Sequence, residues 1–421
     1  MPRGDRVPFL YLCVLNPRRV QVSFLGRKRV RTSRKLSRWA RFLRVLRKPG
    51  ILFLTKKRKA DLNSSIITAY DMLLSDGLEK TLSYLRRNDF YHSPGTTELF
   101  KAIAATNDVA WTENMNAWLK RHSHSVIRLK PGTDARFLRI SFEDLPPVVG
   151  SQPKISVLMP THNAETTIRL AVQSILQQTW RNLELIVVND NSTDSTAKIL
   201  AGLAQQEPRL KVLNNLVNVG PYVSKNRALA VASGDFITGH DADDLALPDR
   251  LERQVRPLLH DHSLVGAYGH MVRLDETGRP NYLSRIANHS FDGILRRAMI
   301  SLMLRREVFS LVGYWDSVRF GADMEFLARV ERAFPNSVVE DRACTMLCLN
   351  EKGSLTNNPA SGISNRDGPS QIRVEYRDSW KKWHQEHRNE ILYRSFSNLT
   401  REFEAPEGMV IPQSDILKVQ G

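Results

Sequence analysis

The sequence predicts an α/β protein in which a mostly parallel sheet carries helices on both faces and is preceded by a mainly helical N-terminal region. Two observations lead to this prediction. Short apolar strands alternate strictly with helical periodicities between residues 154 and 245, whereas residues 61–125 show helical periodicity alone. A chain of 421 residues is also long enough for two or more domains with a substantial core.

The alternating region predicts four strands and three helices. The strands are expected at 155–159, 183–188, 210–213 and 236–238, and the helices at 166–178, 195–205 and 224–232. Short, continuously apolar strands are typical of a parallel sheet that is covered on both faces. Ligands of such sheets bind beyond the carboxyl ends of the strands, so the functional residues are sought there.

Changes in composition divide the chain into segments. Residues 145–153 are rich in proline and are interpreted as a linker. A hairpin is expected around Pro131-Gly132, with strands at 126–129 and 136–140. A helix over 371–395 is expected to pack against the α/β domain rather than to act as a lid. We therefore predict a basic segment (1–60), a mainly helical accessory region with the linker (61–150), an α/β domain (151–350, with halves 154–245 and 246–350) and a helical extension (351–421).

The positive charge is concentrated at the N-terminus. Residues 1–60 contain nineteen Lys and Arg and a single acid, a net charge of +18 in a chain whose total is +17. Within residues 31–59, an amphipathic helix with Trp and Leu on its apolar face precedes a second basic cluster. An anionic membrane surface suits this pattern best. Packing on the protein itself is the main alternative, and nucleic acid is disfavoured because it explains only this segment.

The sequence also carries signals about location. No apolar run approaches the roughly 20 residues that span a bilayer, and no signal-peptide pattern is present. Three scattered cysteines do not form a disulfide framework, and Cys344 and Cys348 are expected to be buried apolar residues. We therefore expect a cytoplasmic protein that is peripheral on the inner face of the membrane.

Polar residues follow three of the four predicted strands. They are Pro160-Thr161-His162-Asn163, Asn189-Asp190-Asn191-Ser192 and Asp241-Ala242-Asp243-Asp244. Neither a dinucleotide-binding nor a phosphate-loop fingerprint follows the first strand. Asp190 can accept a hydrogen bond from a base, and Thr161 can bond to a carbonyl or hydroxyl group. Asp241 and Asp243 suit Mg²⁺ or Mn²⁺, although an Asp-rich turn in which Asp244 caps the next segment is the alternative.

Four ordered blocks resemble the family 2 glycosyltransferases, which have the nucleotide-binding, Rossmann-like GT-A fold. The blocks are PKISVLMPTHNAETTIRLAVQSILQQTW, ELIVVNDNSTDST, NVGPYVSKNRALAVASGDFITGHDADD and LMLRREVFSLVGYWDSVRFGADMEFLARV. The resemblance covers about residues 153–335. It implies transfer of a sugar from a nucleotide donor, usually UDP-linked, with inversion at the anomeric carbon.

The resemblance also assigns residues to the donor. The nucleoside pocket would be lined by Pro160, Thr161, Asn163 and Glu165, and Asp190 would hold the base. The wall beside the diphosphate and ribose would be formed by Asn218, Gly220, Lys225, Asn226 and Arg227. Asp241 and Asp243 match the family's paired aspartates. Asp243 would be the direct metal ligand, and Asp241 would contact the ribose or a water on the metal.

The last block supplies the residues for transfer. Asp323 matches the family's acidic residue at a helix start and would be the base that takes the acceptor proton. Ala322 stands where a glutamate is common, so Asp323 is the single favoured base. The region of the acceptor and donor sugar would include Gly313, Tyr314, Trp315 and Glu325. Glu325 lies two residues after the base and, on a helix, would point in another direction.

Several departures from the family pattern limit the assignment. The usual aromatic residue between Pro160 and Asn163 is replaced by Thr161-His162. The family's Gln-x-x-Arg-Trp element is absent, which indicates an enzyme that adds one sugar. No histidine follows Asp323 at the expected position, so Lys352 or Ser354 would supply the third metal or phosphate contact.

The sequence thus predicts a metal-dependent inverting glycosyltransferase that transfers sugar to a glycan or lipid-linked acceptor in surface polysaccharide or glycolipid synthesis. Two alternatives remain. A nucleotidyl- or phosphotransferase could use the same metal site without requiring Asp323. A catalytically inactive nucleotide-sugar-binding module would retain Asp190 but not turnover.

Overall fold

The central element of the protein is a mixed sheet, nine-stranded in the part of the chain that is described. The structure, a computed structural model, describes residues 65–88, 95–280, 290, 293–351, 353–364, 368–396 and 401–420. The predicted basic segment 1–60, including the proposed membrane contact at 31–59, and Lys352 lie outside these residues. The strands of this sheet are β3 (Ile155–Thr161), β4 (Leu183–Asn189), β5 (Leu210–Asn214), β6 (Phe236–Gly239), β7 (Leu245–Ala246), β8 (Gly266–Leu274), β9 (Arg296–Arg297), β10 (Met303–Arg305) and β11 (Val338–Leu349). They follow the order β5-β4-β3-β6-β10-β8-β11-β7, and β9 pairs with β8.

The first half of the sheet confirms the predicted parallel order. β4, β3 and β6 are parallel neighbours, and all four predicted strands start where the sequence places them, ending one or two residues later. β10 then pairs antiparallel with both β6 and β8, so the sheet becomes mixed beyond β6. Because two antiparallel pairings restore the original direction, β8 and β11 end at the same edge as β3, β4 and β6.

Helices cover both faces of this sheet. One face packs against α5 (Ile168–Leu176), α6 (Thr196–Ala204) and α8 (Arg250–His260). The other packs against α7 (Gly220–Val231), α9 (Arg306–Val312) and α10 (Ala322–Ala333). Alternate residues of β3 divide between the two faces: Val157 joins the first core and Leu158 the second. This alternation is the geometric consequence of an extended strand.

The accessory region is helical, as predicted, and packs against β7, β8 and β11 at one end of the sheet. It contains α1 (65–76), α2 (Leu78–Arg87), α3 (Thr96–Ala104) and α4 (Asp108–Leu119). The predicted hairpin is formed by β1 (Ile127–Leu129) and β2 (Ile140–Phe142), which are antiparallel. Residues 136–139, which the sequence assigned to its second strand, form a 3₁₀ turn instead.

The C-terminal extension packs against the α/β domain, as the sequence predicted. It comprises a short pair, β12 (Ile363–Ser364) and β13 (Gly368–Pro369), followed by α11 (Gln371–Glu386) and α12 (Gln413–Gln420). Trp380 and Trp383 of α11 share an apolar cluster with Tyr222 of α7. Ile416 of α12 packs with Val223, which also belongs to α7. The extension therefore supports α7 from outside the sheet.

Candidate functional site

The predicted polar segments meet at one edge of the sheet. Thr161 ends β3 and is in register with Asn189 of β4, while β6 lies on the other side of β3 and ends at Gly239. Neighbouring strands are about 4.8 Å apart, so Asp190 and Asp241 follow strands separated by roughly 10 Å. A ligand of nucleotide size can therefore contact both segments.

Asp190 is buried at the start of α7. Its Oδ1 accepts hydrogen bonds from the Val219 amide (2.9 Å) and Asn215 Nδ2 (2.6 Å), and its Oδ2 accepts one from the Gly220 amide (2.7 Å). Burial raises the pKa of Asp190, and these donors offset part of that effect. An ionised carboxylate offers about four lone-pair positions, so Asp190 can still accept from a base. Asn215 was not singled out by the sequence.

Thr161 has a polar atom that no described residue satisfies. The side chain is 3% exposed, and its Oγ1 is buried without a hydrogen-bond partner among the described residues. Buried hydroxyl groups are normally paired, and an unpaired one indicates strain or a ligand. Because Thr161 lies in register beside Asn189, its hydroxyl is well placed to serve the predicted nucleoside pocket.

Two residues predicted for the nucleoside pocket and one predicted for the diphosphate wall form hydrogen bonds between loops. Asn163 Oδ1 accepts a hydrogen bond from the Thr193 amide (2.8 Å), and Glu165 Oε2 accepts one from the Ser195 amide (2.8 Å). Both side chains thus link the loop after β3 to the loop after β4, and they shape the pocket from outside. Asn218 Nδ2 donates to the Asp190 carbonyl oxygen (3.2 Å), which fixes the loop before α7.

The acidic segment after β6 forms a cluster of three carboxylates. Oxygen atoms of Asp241, Asp243 and Asp244 all lie within 4.8 Å of one another. Burial, and then the neighbouring Asp241 carboxylate, raise the pKa of Asp243 to about 7. Burial also raises the pKa of Asp241 and, together with the other two carboxylates, that of Asp244. A hard divalent cation fits this set of oxygen donors, because its charge would offset the repulsion among the three carboxylates.

Asp244 belongs to this cluster rather than capping the following helix. It is 5% exposed, and its Oδ1 accepts a hydrogen bond from the Leu349 amide at the end of β11. The alternative interpretation of Asp244 as a cap is therefore wrong. The bond also holds the acidic segment against the end of β11. Ser354, one of the two residues predicted as a third metal or phosphate contact, follows that strand in the sequence.

Arg250 is a buried cation behind the acidic cluster. Its Nη2 donates to the Gly239 carbonyl oxygen (2.6 Å) and to Thr238 Oγ1 (3.0 Å), which fixes the end of β6. Its Nη1 lies 3.0 Å from His240 Nδ1. A guanidinium can only donate, so His240 accepts through Nδ1 and donates through Nε2 to the Asp244 carbonyl oxygen. Burial lowers the pKa of Arg250 to about 10 and that of His240 well below its ordinary value.

Asp323 lies at the start of α10, with α7 beside it. Its Oδ2 accepts a 2.7 Å hydrogen bond from the Tyr222 hydroxyl, and its Oδ1 lies 3.5 Å from Lys225 Nζ. The positive charge of Lys225 also acts on Asp241, whose pKa it lowers against the effect of burial. Lys225 therefore links the predicted base electrostatically to the acidic cluster.

Trp315 and Asp323 line the same pocket. This pocket is also lined by Lys225 and by the apolar residues Leu158, Ile300 and Phe326. Trp315 stacks on Phe326 with ring centroids 4.4 Å apart, so the indole is held in place. Trp315 therefore lies in the same pocket as the predicted base, and its contact with a sugar stays a prediction.

Two neighbouring residues are not part of this pocket. Tyr314 stacks on Phe396 of the C-terminal extension, with centroids 5.6 Å apart. Gly313 has φ 75°, and a Cβ atom there would clash with the Arg394 carbonyl oxygen. Gly313 is therefore required for the close approach of two backbone segments. Both residues thus have internal contacts in this structure, and their predicted contact with a sugar stays a prediction.

Glu325 and Asn226 also serve internal contacts. The Glu325 carboxylate is fully buried and accepts hydrogen bonds from Arg329 (2.7 Å) and His384 (3.1 Å). Asn226 is fully buried and bonds to both backbone groups of Trp315. The predicted sugar contact of Glu325 and nucleotide contact of Asn226 are therefore replaced by positioning roles.

The remaining predicted donor residues lie in or beside α7 and β3. Pro160 is buried within β3 and pairs with Val188. Gly220 uses its amide on Asp190. Arg227 Nη1 donates to the Asn214 carbonyl oxygen and to Asn215 Oδ1, which directs it toward the end of β5.

Residues 156–326, which contain Asp190, Asp243 and Asp323, match the sequence profile of glycosyl transferase family 2. This segment forms a family 2 glycosyltransferase domain. The expected GT-A fold, a sheet flanked by helices behind a helical N-terminal region, is thereby confirmed for this domain.

The glycosyltransferase domain has named relatives. An uncharacterized glycosyltransferase of Haemophilus influenzae is 29% identical over 48% of this chain and 74% of its own length. The Escherichia coli UDP-Glc:alpha-D-GlcNAc-diphosphoundecaprenol beta-1,3-glucosyltransferase WfgD is 38% identical over 26% of this chain and 42% of its own. The Campylobacter jejuni GalNAc(5)-diNAcBac-PP-undecaprenol beta-1,3-glucosyltransferase is 40% identical over 24% and 32%, respectively. The chain thus spans less than half of the last two relatives.

A solved structure is also similar to part of the chain. Residues 1–349 of S. aureus TarS in complex with UDP align at 22% identity over 47% of this chain and 61% of that one, with a TM-score of 0.37.

Among the residues that the present structure describes, none of the helices combines the length and apolar character needed to span a bilayer.

Proposed function

We propose that the chain is a metal-dependent inverting glycosyltransferase that transfers a sugar from a UDP-linked donor to a glycan or lipid-linked acceptor. The observation that carries this proposal is the meeting of three groups at one edge of the sheet: the Asp190 and Thr161 pair, the acidic cluster and Asp323. Two relatives whose names specify diphosphoundecaprenol acceptors support the acceptor class. Surface polysaccharide or glycolipid synthesis is the corresponding setting.

In this proposal the donor lies across the ends of β4, β3 and β6. Asp190 accepts from the base, and the Thr161 hydroxyl bonds to the nucleoside. Asp323 takes the proton of the acceptor hydroxyl while that oxygen attacks the anomeric carbon from the side opposite the leaving diphosphate. The new glycosidic bond forms as the bond to the diphosphate breaks, which inverts the configuration.

Asp243 and Asp241 would hold Mn²⁺ or Mg²⁺, with Asp243 as the direct ligand. The fit rests on the three carboxylates within 4.8 Å and on their raised pKa values. A bound cation would stabilise the negative charge of the leaving diphosphate. Arg250 and the Leu349 amide hold this segment from behind, so the carboxylates are preorganised by the protein itself.

A thermal-shift experiment tests the donor class. The protein is heated with a panel of nucleotides, each with and without Mn²⁺. Stabilisation by UDP that requires the metal is expected, because binding to the folded state alone raises the unfolding temperature. The absence of a response to every nucleotide would contradict the proposal. Release of inorganic pyrophosphate from a nucleoside triphosphate would instead favour a nucleotidyltransferase.

The variant Asp323→Asn tests the base. The side chain keeps its size but cannot accept the proton, so donor-dependent transfer is expected to fall by roughly 10²- to 10⁴-fold. UDP affinity should stay near the wild-type value because Asp323 does not contact the nucleotide in this arrangement. Wild-type turnover in this variant would remove Asp323 from its role.

We further propose that residues 31–59 bind an anionic membrane surface. The support is their charge and amphipathic pattern in the sequence. Pelleting with vesicles of anionic lipid is expected, and it should weaken with salt and be lost when residues 1–60 are removed. Equal pelleting with and without this segment would contradict the assignment.

A further inference from the structure

Tyr222 connects α7 to the predicted base. It lies in the first turn of α7, and its hydroxyl donates a 2.7 Å hydrogen bond to Asp323 Oδ2. The side chain is 5% exposed. Burial, followed by the negative charge of Asp323, raises the pKa of Tyr222 well above its ordinary value. The hydroxyl therefore remains protonated and acts as the donor.

The surroundings of Tyr222 fix its position. Its ring packs in an apolar cluster with Val318 and with Trp380 of the C-terminal extension. Lys225 Nζ lies 4.9 Å from the centroid of the same ring and 3.5 Å from Asp323 Oδ1. The two carboxylate oxygens of Asp323 thus have different partners: Oδ2 has a short hydrogen bond, and Oδ1 has a longer ionic contact.

The terminal torsion of an aspartate side chain is broad, so an unrestrained carboxylate samples many orientations. A base must present one lone pair to the acceptor hydroxyl, and small errors in that direction reduce the rate strongly. The Asp323 side chain is about one third exposed, and its Oδ2 is held by the hydrogen bond from Tyr222.

We propose that Tyr222 is a positioning residue for the reaction, fixing the plane of the Asp323 carboxylate through Oδ2 and leaving Oδ1 to accept the proton of the acceptor hydroxyl. This proposal rests on the proposed function, in which Asp323 is the base. The role belongs to Tyr222 because its ring is anchored by the apolar cluster, whereas the Lys225 contact is too long to set the carboxylate plane.

The first test compares two Tyr→Phe variants. Tyr222→Phe removes only the hydroxyl, so kcat is expected to fall by roughly 10- to 100-fold while the donor KM and UDP affinity stay within about twofold. Tyr376→Phe is the matched control. Tyr376 belongs to the same apolar cluster, and its hydroxyl donates a hydrogen bond of the same length, 2.7 Å, to Asp316. The control is expected to reduce thermal stability and to leave kcat unchanged.

Other outcomes overturn the positioning role. An unchanged kcat in Tyr222→Phe would do so, as would a raised donor KM with kcat intact. An equal fall of kcat in Tyr222→Phe and Tyr376→Phe would also overturn it, because that result assigns the effect to general loosening of the cluster.

A double variant separates this inference from the proposed function. If Tyr222 acts through the base, Tyr222→Phe has no further effect on turnover in an Asp323→Asn background, since residues that act as a unit are not additive. A further loss of the full 10- to 100-fold would refute the positioning role. If Asp323→Asn alone turns over normally, the proposed function fails. If Asp323→Asn is inactive and Tyr222→Phe is fully active, only the positioning role fails.

Discussion

Two buried polar residues in the nucleotide half of the sheet, Glu184 and Thr161, differ in how far their hydrogen-bonding groups are satisfied. Glu184 is 2% exposed, and its carboxylate accepts from Ser156 Oγ, the Ser233 amide and two lysines. Thr161 is equally buried, but its Oγ1 has no partner among the described residues. A satisfied buried group contributes to stability, whereas an unsatisfied one costs free energy. We therefore assign Glu184 to the fold and Thr161 to the ligand.

Thr161→Val is the corresponding ligand-binding prediction. The substitution replaces an unpaired hydroxyl with a methyl group of similar size. The free energy of unfolding should stay the same or rise slightly, because a desolvated, unpaired group is removed. UDP affinity should fall by roughly tenfold, the equivalent of one hydrogen bond of about 1.4 kcal/mol. Calorimetric titration with UDP and denaturant unfolding would measure the two effects.

Thr238→Val provides the control for this substitution. Thr238 is also buried, but its hydroxyl donates to the Ser301 carbonyl oxygen and accepts from Arg250. We expect it to lower the free energy of unfolding by about 1–3 kcal/mol. If Thr161→Val leaves UDP affinity unchanged, the hydroxyl does not contact the nucleotide.

Glu184→Gln is predicted to alter the pH dependence of stability. Burial alone would raise the pKa of Glu184, but the hydrogen bonds from Lys211, Ser156 and Ser233 outweigh it and lower the pKa. A carboxyl group with a lowered folded pKa stabilises the protein above its unfolded pKa of about 4.3 and loses that contribution as the pH falls. The variant should be less stable at pH 7 by about 2 kcal/mol.

Urea unfolding at several pH values measures this effect. The difference between wild type and Glu184→Gln is expected to shrink as the pH falls below about 4.3. A difference that stays constant between pH 7 and pH 3 would contradict the assignment of the charged carboxylate to stability. Glu79, an exposed acid in α2, gives a control substitution that should leave the profile unchanged.

At the scale of secondary-structure elements, α7 organises the site. Its start supplies the Val219 and Gly220 amides to Asp190, and its first two turns carry Tyr222 and Lys225 to Asp323. The outer side of the helix is covered by the C-terminal extension, including Ile416 of α12. The position of α7 therefore depends on residues almost two hundred positions away in the sequence.

Ile416→Ala tests this dependence. Ile416 is 6% exposed, and its truncation leaves a gap against α7. The free energy of unfolding is expected to fall by about 2 kcal/mol, with weaker UDP binding because the start of α7 loses support. Leu417→Ala is the matched control on the same helix, since Leu417 is 55% exposed. It should change stability by less than about 0.5 kcal/mol. Equal effects from both variants would contradict the support of α7 by α12.

At the scale of the whole molecule, the accessory region shares a core with the glycosyltransferase domain. Trp111 of α4 is fully buried and donates from Nε1 to the Gly278 carbonyl oxygen just beyond β8. The same cluster contains Leu245, Leu274 and Leu347 of the sheet. The predicted boundary near residue 150 therefore lies on the exposed linker, where Val149 is 90% exposed, but the apolar core continues across it.

A chain beginning at residue 151 is consequently expected to aggregate. Removing the accessory region would expose the apolar residues of the sheet that it covers, and a contiguous exposed apolar patch promotes association. A chain beginning at residue 61 keeps this cover and should remain monodisperse in size-exclusion chromatography. If the chain that begins at residue 151 is also monodisperse, the accessory region is a separable domain.

The sequence was most informative where structure is local. Continuous apolar runs located β3 to β6 to within two residues, because a buried strand needs apolar side chains on both faces. α7 was predicted to begin at residue 224 but begins at Gly220. The amide at its start donates to Asp190, the residue that follows β4, and no local sequence pattern records that bond.

The candidate site follows the same division. The sequence determined which carboxylates and hydroxyls follow the strands, because the alternation of strand and helix brings all carboxyl ends to one edge. Only the tertiary structure decided which neighbours line the pocket: Trp315 does, whereas Tyr314 packs on Phe396 and Glu325 bonds to Arg329 and His384. The physical reason is that a side chain's direction and its partners depend on packing between elements that are distant in the chain.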